Sequence, residues 1–274
     1  MQALRMSPAA APVDPDPAAA EARRPMVMPF ARALMLLAVF TPQRRWLSNR
    51  DFVEHTGLPA STITRIGQSL VQLGYLQYDA HQRLYRLAAP VLALGYAAFA
   101  NSDVQQAARV HMKDFVRRHK LHVSLSCRDR LDLIVLESCD SGQAAWSLNL
   151  DVGARVGIAA SPMGWALLAA LPELERYYLL DKVERKIPRQ WPTLRRRCNE
   201  AIAQVQELGY CAAATEPTPE LGVVAAPLWL ENHAPLVLSC VGANLQMSRA
   251  RIQREIGPQL VALADAIQQR GAVE

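Results

Sequence analysis

The sequence lacks the cysteine patterns that cross-link small domains or hold metal ions. Its five cysteines are an odd number, lie far apart and include no Cys-x-x-Cys pair. Free thiols in a reducing compartment fit this pattern better than a disulfide framework does. The chain also lacks an apolar run long enough for a signal sequence or a membrane span. We therefore expect a cytoplasmic protein without a membrane partner.

Motifs of common catalytic sites are missing as well. No Gly-rich phosphate loop, nucleophile elbow or paired-carboxylate motif occurs. His119, His122, Cys127 and Cys139 would have to assemble for a metal site, and a His-x-x-His pair across a helix end is common by chance. We therefore expect no enzymatic activity, no cofactor and no metal ion.

The composition is that of a globular protein with two domains. The chain has 274 residues, of which 51% are hydrophobic and 20% charged, so it is long enough and apolar enough to bury two cores. The first 29 residues differ, because Ala and Pro dominate them, and we interpret them as a disordered tail. No internal repeat is visible.

Residues 48–87 carry the most informative pattern. Two short helical patterns meet at Thr56-Gly-Leu-Pro59, and two short strands follow with a polar turn at Asp79-Ala-His-Gln82. The apolar run Ala31–Phe40 predicts a further helix that packs beneath them. A positioning helix, a tight turn, a second helix and a β-hairpin form a winged helix-turn-helix. This order predicts a DNA-binding domain over residues 30–88.

The second of these helices predicts two faces. Ile63, Ile66, Leu70 and Leu73 share the apolar face. Opposite lie Ser61, Arg65, Gln68 and Gln72, with Thr62 and Thr64 at the edges. Such side chains hydrogen-bond base edges and phosphates, although an ordinary amphipathic helix also has a solvated face. The candidate DNA contacts are Ser48, Arg50, Ser61, Thr62, Thr64, Arg65, Gln68, His81 and Arg83.

The net charge is concentrated in the same segment. Residues 30–87 hold seven arginines and three acids, a net charge of +4, whereas the whole chain carries +5. The first 29 residues balance three arginines against three acids, which leaves +1 for residues 88–274. Phosphate attraction needs positive charge at the DNA-binding segment, and the remainder need not touch nucleic acid.

The rest of the chain predicts a connector and an α+β domain. Ala89–Phe99 is an apolar helical run, and Leu92, Leu94 and Phe99 are candidate dimer contacts, although burial within the chain is an equal alternative. We assign residues 89–101 to this linker helix and residues 102–274 to a mixed or antiparallel sheet flanked by helices. The predicted helices are 103–120, 161–171, 193–208 and one from Ser248, and the predicted strands are 121–127, 131–138, 144–150, 222–230 and 235–241.

From about Phe30 to Gln269 the chain resembles the IclR family of bacterial transcriptional regulators. Thr56-Gly-Leu-Pro-x-Ser-Thr-Ile-x-Arg65, Leu73-Gly-Tyr-Leu76 and Tyr85-Arg-Leu87 are close to the family's DNA-binding signature. Matches in the second half are Gly153-Ala-Arg155, Ser161-x-x-Gly164-x-Ala-Leu-Leu-Ala169, Glu207-Leu-Gly-Tyr210, Val224-Ala-Ala-Pro227 and Leu238-Ser239-x-x-Gly242. The resemblance implies a winged helix-turn-helix, a linker helix and a C-terminal effector domain with a GAF-like fold. It also implies dimers, often paired into tetramers, that bind palindromic operators and respond to small carboxylates or aromatic acids.

The chain departs from the family pattern where an effector would bind. Trp165 stands where the family usually has lysine, Val223 where cysteine is common and Val241 where a second serine is found. Val156-Gly-Ile-Ala159 replaces Leu-Pro-Leu-His, and Ala212–Ala214 lacks the common acidic residue. Burying an unpaired carboxylate costs several kcal/mol. These losses of polar groups favour a larger, partly aromatic acid, or the loss of ligand binding altogether.

One anion-binding feature remains at Ser161-Pro-Met-Gly164. This predicted helix start offers backbone N–H groups, a hydroxyl and the positive end of a helix dipole, although a plain helix cap has the same sequence. Ser239 is either a satisfied core hydroxyl or a ligand donor. The candidate effector contacts are Ser161, Pro162, Met163, Gly164, Trp165, Val223, Ser239 and Val241.

The sequence therefore predicts a DNA-binding transcriptional regulator. We expect a small organic acid, an aromatic one because the predicted site has lost polar groups, to modulate operator binding by a homodimer or homotetramer. The alternative is a cytosolic small-acid sensor or enzyme whose N-terminal domain mediates protein contacts.

Overall fold

The computed structural model describes residues 27–41, 44–100, 103–140, 150–214, 221–230 and 233–271. The expected tail, apart from its last residues, and the expected strand at 144–150, apart from Leu150, lie outside these ranges. Two compact units make up the fold, one ending at Ala93 and the other beginning at Leu94. None of the helices in the described ranges combines the length and apolar character that a membrane crossing needs.

The first unit has three helices and a hairpin. They are α1 (Met28–Leu37), α2 (Asn49–Thr56), α3 (Ala60–Gln72), β1 (Leu76–Asp79) and β2 (Leu84–Leu87). Ser48 caps α2 in a reciprocal capping box with Asp51, which satisfies amides at the helix start. Gly57 ends α2 with a φ of 68°, a left-handed conformation that costs glycine little. Helix α3 begins directly after Pro59.

Aromatic rings form the centre of the first core. Phe52 is fully buried, and its ring lies 5.6 Å from Phe40 and 5.8 Å from Tyr85, both in edge-to-face arrangements. Leu47 exchanges two backbone hydrogen bonds with Tyr85, so it pairs with the edge of the hairpin as a residue of a third strand would. A Cβ on Gly67 of α3 would lie 3.2 Å from the Tyr85 ring. The hairpin is therefore held tightly against α3.

The prediction for Leu73 was wrong. Ile63, Ile66 and Leu70 are buried as expected, but Leu73 is 67% exposed. Helix α3 ends at Gln72, and Gly74 turns the chain with a φ of 77°, so the helical period no longer applies at Leu73. Leu76 on β1 contributes to the core instead.

Helix α4 (Ala89–Ala100) follows the hairpin. A helix thus occupies the segment that we expect to be the linker, and Leu92, Leu94 and Tyr96 on it are each at least 58% exposed in the single chain. The side chain of Phe99 lies outside the described part of the structure.

The second unit is built on a six-stranded sheet. Its helices are α5 (Asp103–His119), α6 (Pro162–Ala170), α7 (Glu173–Lys186), α8 (Trp191–Leu208), the short α9 (Arg249–Arg251) and α10 (Gly257–Gly271). Its strands are β3 (His122–Asp129), β4 (Asp132–Cys139), β5 (Arg155–Gly157), β6 (Cys211–Ala214), β7 (Leu221–Leu228) and β8 (Leu236–Ala243). The order across the sheet is β5-β4-β3-β8-β7-β6, and every neighbouring pair is antiparallel. The predicted α+β architecture is confirmed.

Helices cover both faces of this sheet. Residues of α6, α7 and α8 share one buried cluster with Val223, Val237 and Val241. Residues of α5 and α10 share the other with Val123 and Leu125. A π-helical turn at Ile252–Ile256 separates α9 from α10, so the expected last helix is interrupted. We call the sheet face under α6 the α6 face.

Candidate nucleic-acid interface and effector site

The outer side of α3 presents the polar side chains that the sequence predicted. Ser61, Arg65 and Gln68 are exposed, and Thr62 is half-buried. Within the described chain, the side chains of Ser61, Arg65 and Gln68 make no hydrogen bond or ion pair, so their donors and acceptors remain available. A groove-bound helix makes its base contacts from such residues near its N-terminal end.

Two other predicted contacts have structural partners. The hydroxyl of Thr64 accepts a hydrogen bond from Asn49 Nδ2 at 2.9 Å and donates to the Ala60 carbonyl at 3.0 Å. The hydroxyl of Ser48 accepts from the Asp51 amide and donates to the Asp51 carboxylate at 2.8 Å. Thr64 therefore fixes α2 against α3, and Ser48 fixes the start of α2.

The hairpin turn is also internally organised. Asp79 Oδ1 accepts hydrogen bonds from the amides of His81 and Gln82 at 2.8 and 3.1 Å. Arg83 has a φ of 56°, and the side chains of His81 and Arg83 are both exposed. Arg86 donates to Gln77 across the hairpin and lies over the Trp46 ring at 5.0 Å. The turn therefore holds His81 and Arg83 at the tip of the wing.

Two acids of this unit, Asp51 and Asp79, accept hydrogen bonds from nearby residues, whereas six of its arginines are exposed. The Asp51 carboxylate accepts from the backbone and hydroxyl of Ser48, and these bonds lower the pKa of Asp51. The Asp79 carboxylate is engaged in the hairpin turn. The exposed basic residues are Arg44 and Arg45 in the segment before α2, and Arg50, Arg65, Arg83 and Arg86 on the helices and wing. The surface is thus suited to phosphate attraction.

The predicted anion-binding start of α6 is tightly enclosed. Pro162, Met163 and Gly164 are buried. Ser161 caps the helix, accepting from the Gly164 amide at 3.2 Å, and its carbonyl accepts from the Trp165 amide at 3.0 Å. Neither hydrogen bond uses the backbone amide of Met163, which remains as a donor in the first turn of the helix. The plain helix cap therefore accounts for most of this feature, although Ser161 itself is half-buried.

The apolar candidates lie together in the core beneath α6. Met163, Trp165, Val223 and Val241 belong to one buried cluster and are each no more than 5% exposed. The Trp165 indole N–H donates to the Ala159 carbonyl at 2.8 Å. Trp165 thus has its polar atom satisfied and its side chain buried in the core.

Three polar residues of strand β3 lie on the α6 face, and the sequence analysis missed them. His122, Ser124 and Ser126 alternate along the strand with the apolar residues of the opposite face. Ser124 pairs in register with Ser239, and their hydroxyl oxygens lie 2.8 Å apart with both residues fully buried. His122 Nε2 lies 2.9 Å from Ser138 Oγ. The period-two pattern His-x-Ser-x-Ser in a predicted strand was the available signal.

The alternative metal site does not assemble. The imidazole of His119 lies against the π-helical turn and α10, with Nδ1 3.1 Å from Glu255 in the turn and Nε2 2.7 Å from Gln259 in α10. His122 instead bonds Ser138 on the α6 face. No group of three or more His, Cys, Asp or Glu side chains in the described ranges could hold a metal ion.

The thiols are poor nucleophiles. Burial raises the pKa of Cys198, Cys211 and Cys240 to about 12 each, and it also raises the pKa of Cys127 and Cys139. At neutral pH these thiols stay protonated, which suits core residues rather than reactive cysteines.

The geometry defines a class of protein: a winged helix-turn-helix unit with a free polar recognition face, followed by an α+β unit with a polar row inside its apolar core. Models of two known domains match the chain in the same order. The IclR helix-turn-helix domain matches residues 30–80, and the bacterial transcriptional regulator IclR C-terminal domain matches residues 96–269. The chain belongs to the IclR family of bacterial transcriptional regulators, which confirms the resemblance.

Individual relatives agree with this assignment. The HTH-type transcriptional regulator TsaQ1/TsaQ2 of Comamonas testosteroni is 29% identical over 89% of this chain and 88% of its own length. The crystal structure of an IclR family transcriptional regulator from Brucella abortus is 32% identical, with a TM-score of 0.81 over 91% of this chain and 95% of that one. An IclR homologue from Microbacterium hydrocarbonoxydans, complexed with 4-hydroxybenzoate, is 22% identical with a TM-score of 0.69 and covers 90% of this chain and all of its own.

Proposed function

We propose that this regulator binds a palindromic operator through α3 and that a small organic acid, aromatic rather than aliphatic, modulates that binding. Residues 30–88 would form the DNA-binding domain, 89–101 the linker helix and 102–274 the effector-binding and oligomerisation domain. The protein would act as a regulator and not as an enzyme. The observation that carries the proposal is the exposed face of α3, where Ser61, Arg65 and Gln68 keep their polar groups free.

The proposed DNA contacts fall into two groups. Ser61, Thr62, Arg65 and Gln68 lie on the outer side or edge of α3 and would meet base edges in the major groove. Arg50, His81 and Arg83 would approach phosphates or the adjacent minor groove. Ser48 and Thr64 contribute by positioning, because their hydroxyls fix α2 and the α2–α3 contact.

Arg65→Ala tests the base-reading role. If Arg65 reads a base, its removal should weaken binding to an operator recovered by in vitro selection by about 5- to 150-fold, equivalent to about 1–3 kcal/mol. Fluorescence anisotropy at physiological salt measures this change. Arg196→Ala provides the matched control, because Arg196 is an exposed arginine of the second unit. Equal operator affinity for the two variants would remove Arg65 from the interface.

The effector would bind on the α6 face of the sheet. The sequence-predicted contacts Met163, Trp165, Val223 and Val241 provide apolar surface there, and Ser239 and Ser161 provide hydroxyls. An aromatic ring gains dispersion and burial from such surroundings, whereas a short aliphatic acid leaves its carboxylate with few partners. The homologue complexed with 4-hydroxybenzoate supports this ligand class for the fold.

A homodimer or homotetramer would carry the DNA-binding helices in pairs. One recognition helix reads too few base pairs for specificity, so half-sites should lie about one helical turn apart, about 34 Å. Helix α4 supports a self-association surface, because Leu92 and Tyr96 are 76% and 70% exposed in the single chain.

A paired substitution on α4 tests the assembly. Leu92→Glu with Leu94→Glu should shift the protein toward monomer in light scattering at micromolar concentration, because both charges would have to be buried in the contact. Leu245→Glu is the control, since Leu245 is an almost fully exposed leucine outside the helices. An unchanged mass for the α4 variant would exclude this helix from the contact.

A further inference from the structure

The polar atoms on the α6 face are not all satisfied. His122 Nδ1 is buried and has no hydrogen-bond partner, although Nε2 of the same ring is paired with Ser138. A buried polar atom left without a partner is costly, so native structures pair most of them. A ligand atom is one partner that would satisfy Nδ1.

The register places this atom beside the candidate effector residues. His122 on β3 pairs with Val241 on β8, and Val241 pairs with Val223 on β7. These three residues therefore form one row across the sheet, with His122 about 10 Å from Val223, or two strand spacings. The next row holds the Ser124–Ser239 hydroxyl pair. The row thus has no polar side chain at Val241 or Val223 but has one at His122, on the strand next to Val241.

The surroundings of His122 indicate which ligand group fits. Burial lowers the pKa of His122, and the carboxylates of Asp140 and Asp151 offset that effect only in part. The ring is therefore neutral at neutral pH, and Nδ1 either accepts or donates, depending on the tautomer. Two nearby carboxylates disfavour an anion at this position. A hydroxyl group suits it, because a hydroxyl donates and accepts.

We infer that His122 is a specificity-determining residue of the effector site that hydrogen-bonds a hydroxyl group of a hydroxylated aromatic acid through Nδ1. This inference rests on the proposed function, since it assumes that an aromatic acid binds on the α6 face. The acid's carboxylate would lie away from Asp140 and Asp151, toward the serine pair and the start of α6.

Ligand discrimination tests this role. Calorimetry with 4-hydroxybenzoate and benzoate should give the wild-type protein about a tenfold preference for the hydroxylated acid, the size of one net hydrogen bond. His122→Leu should bind the two acids equally. His122→Asn should recover much of the preference, because its amide reaches the position of Nδ1. Circular dichroism melting checks that each variant is folded.

A control on the same strand makes the outcome specific. Ser126 is also buried with an unpartnered hydroxyl, but it lies in the row between Val135 and Val237. Ser126→Ala should keep the wild-type preference. If folded His122→Leu keeps the wild-type preference, the role of His122 is wrong, while the aromatic-effector proposal is unaffected. Failure of the wild-type protein to bind either acid would overturn the aromatic-effector proposal and this inference together.

Discussion

Phe52→Ala should abolish operator binding while leaving the second unit folded. Phe52 is fully buried at the centre of the first core, where its ring contacts Phe40 and Tyr85. Truncating a buried phenylalanine costs about 3–5 kcal/mol, which is a large part of the stability of a small domain. Because α3 and the wing pack on this ring, their relative placement should be lost with it.

Hydrogen exchange followed by mass spectrometry separates this effect from global unfolding. Exchange should rise over residues 44–88 and stay unchanged over β3 and β4. Phe30→Ala is the matched control, since Phe30 is 67% exposed and its truncation should change stability little. If Phe52→Ala bound the operator with wild-type affinity, the assignment of DNA binding to the unit built around this core would be contradicted.

Gly164→Ala should destabilise the second unit by about 3 kcal/mol, the upper part of the range for overpacking. A Cβ at this position would lie 1.9 Å from the carbonyl oxygen of Ile158 and 2.4 Å from its carbonyl carbon. Both are backbone atoms, so no side-chain rotation relieves the contact. The segment before α6 would have to move, and the cap formed by Ser161 would move with it.

Gly95→Ala is the matched control, because the same glycine-to-alanine change should leave stability unchanged or raise it at this position. Nothing lies within 4 Å of a Cβ built on Gly95 in α4, and alanine is favoured over glycine within a helix by about 0.5–1 kcal/mol. Urea denaturation should therefore show a lower midpoint for Gly164→Ala and an equal or higher midpoint for Gly95→Ala. Equal stability of the two variants would show that the approach to Ile158 is not close.

Much of the fold could be predicted because its signals are local. Helix α3, the wing and the strands β3, β4, β7 and β8 follow from periodicity and from turn residues such as Gly57. Helix α7 was missed because only Leu179 and Val183 are buried along it, so its apolar stripe is weak. Leu73 was misplaced because a helix end cannot be located from periodicity alone.

The candidate sites were less predictable, because they depend on contacts between distant residues. The pairing of Thr64 with Asn49 assigns that hydroxyl a positioning role that no periodicity indicates. The candidate effector site is apolar in the sequence, because Val223 and Val241 stand where the family has polar residues. Register brings His122 of β3 opposite Val241, and only that pairing returns a polar group to the row.

Operator affinity with and without ligand tests most directly the proposal that an acid bound to the second unit modulates DNA binding by the first. Anisotropy titrations of the selected operator, at one salt concentration, should be run with saturating 4-hydroxybenzoate and without it. Coupling of about 1–3 kcal/mol predicts a change in affinity of about 5- to 150-fold. Operator binding that is unaffected by this acid and by a panel of other aromatic acids, or no sequence-specific binding at all, would contradict the account.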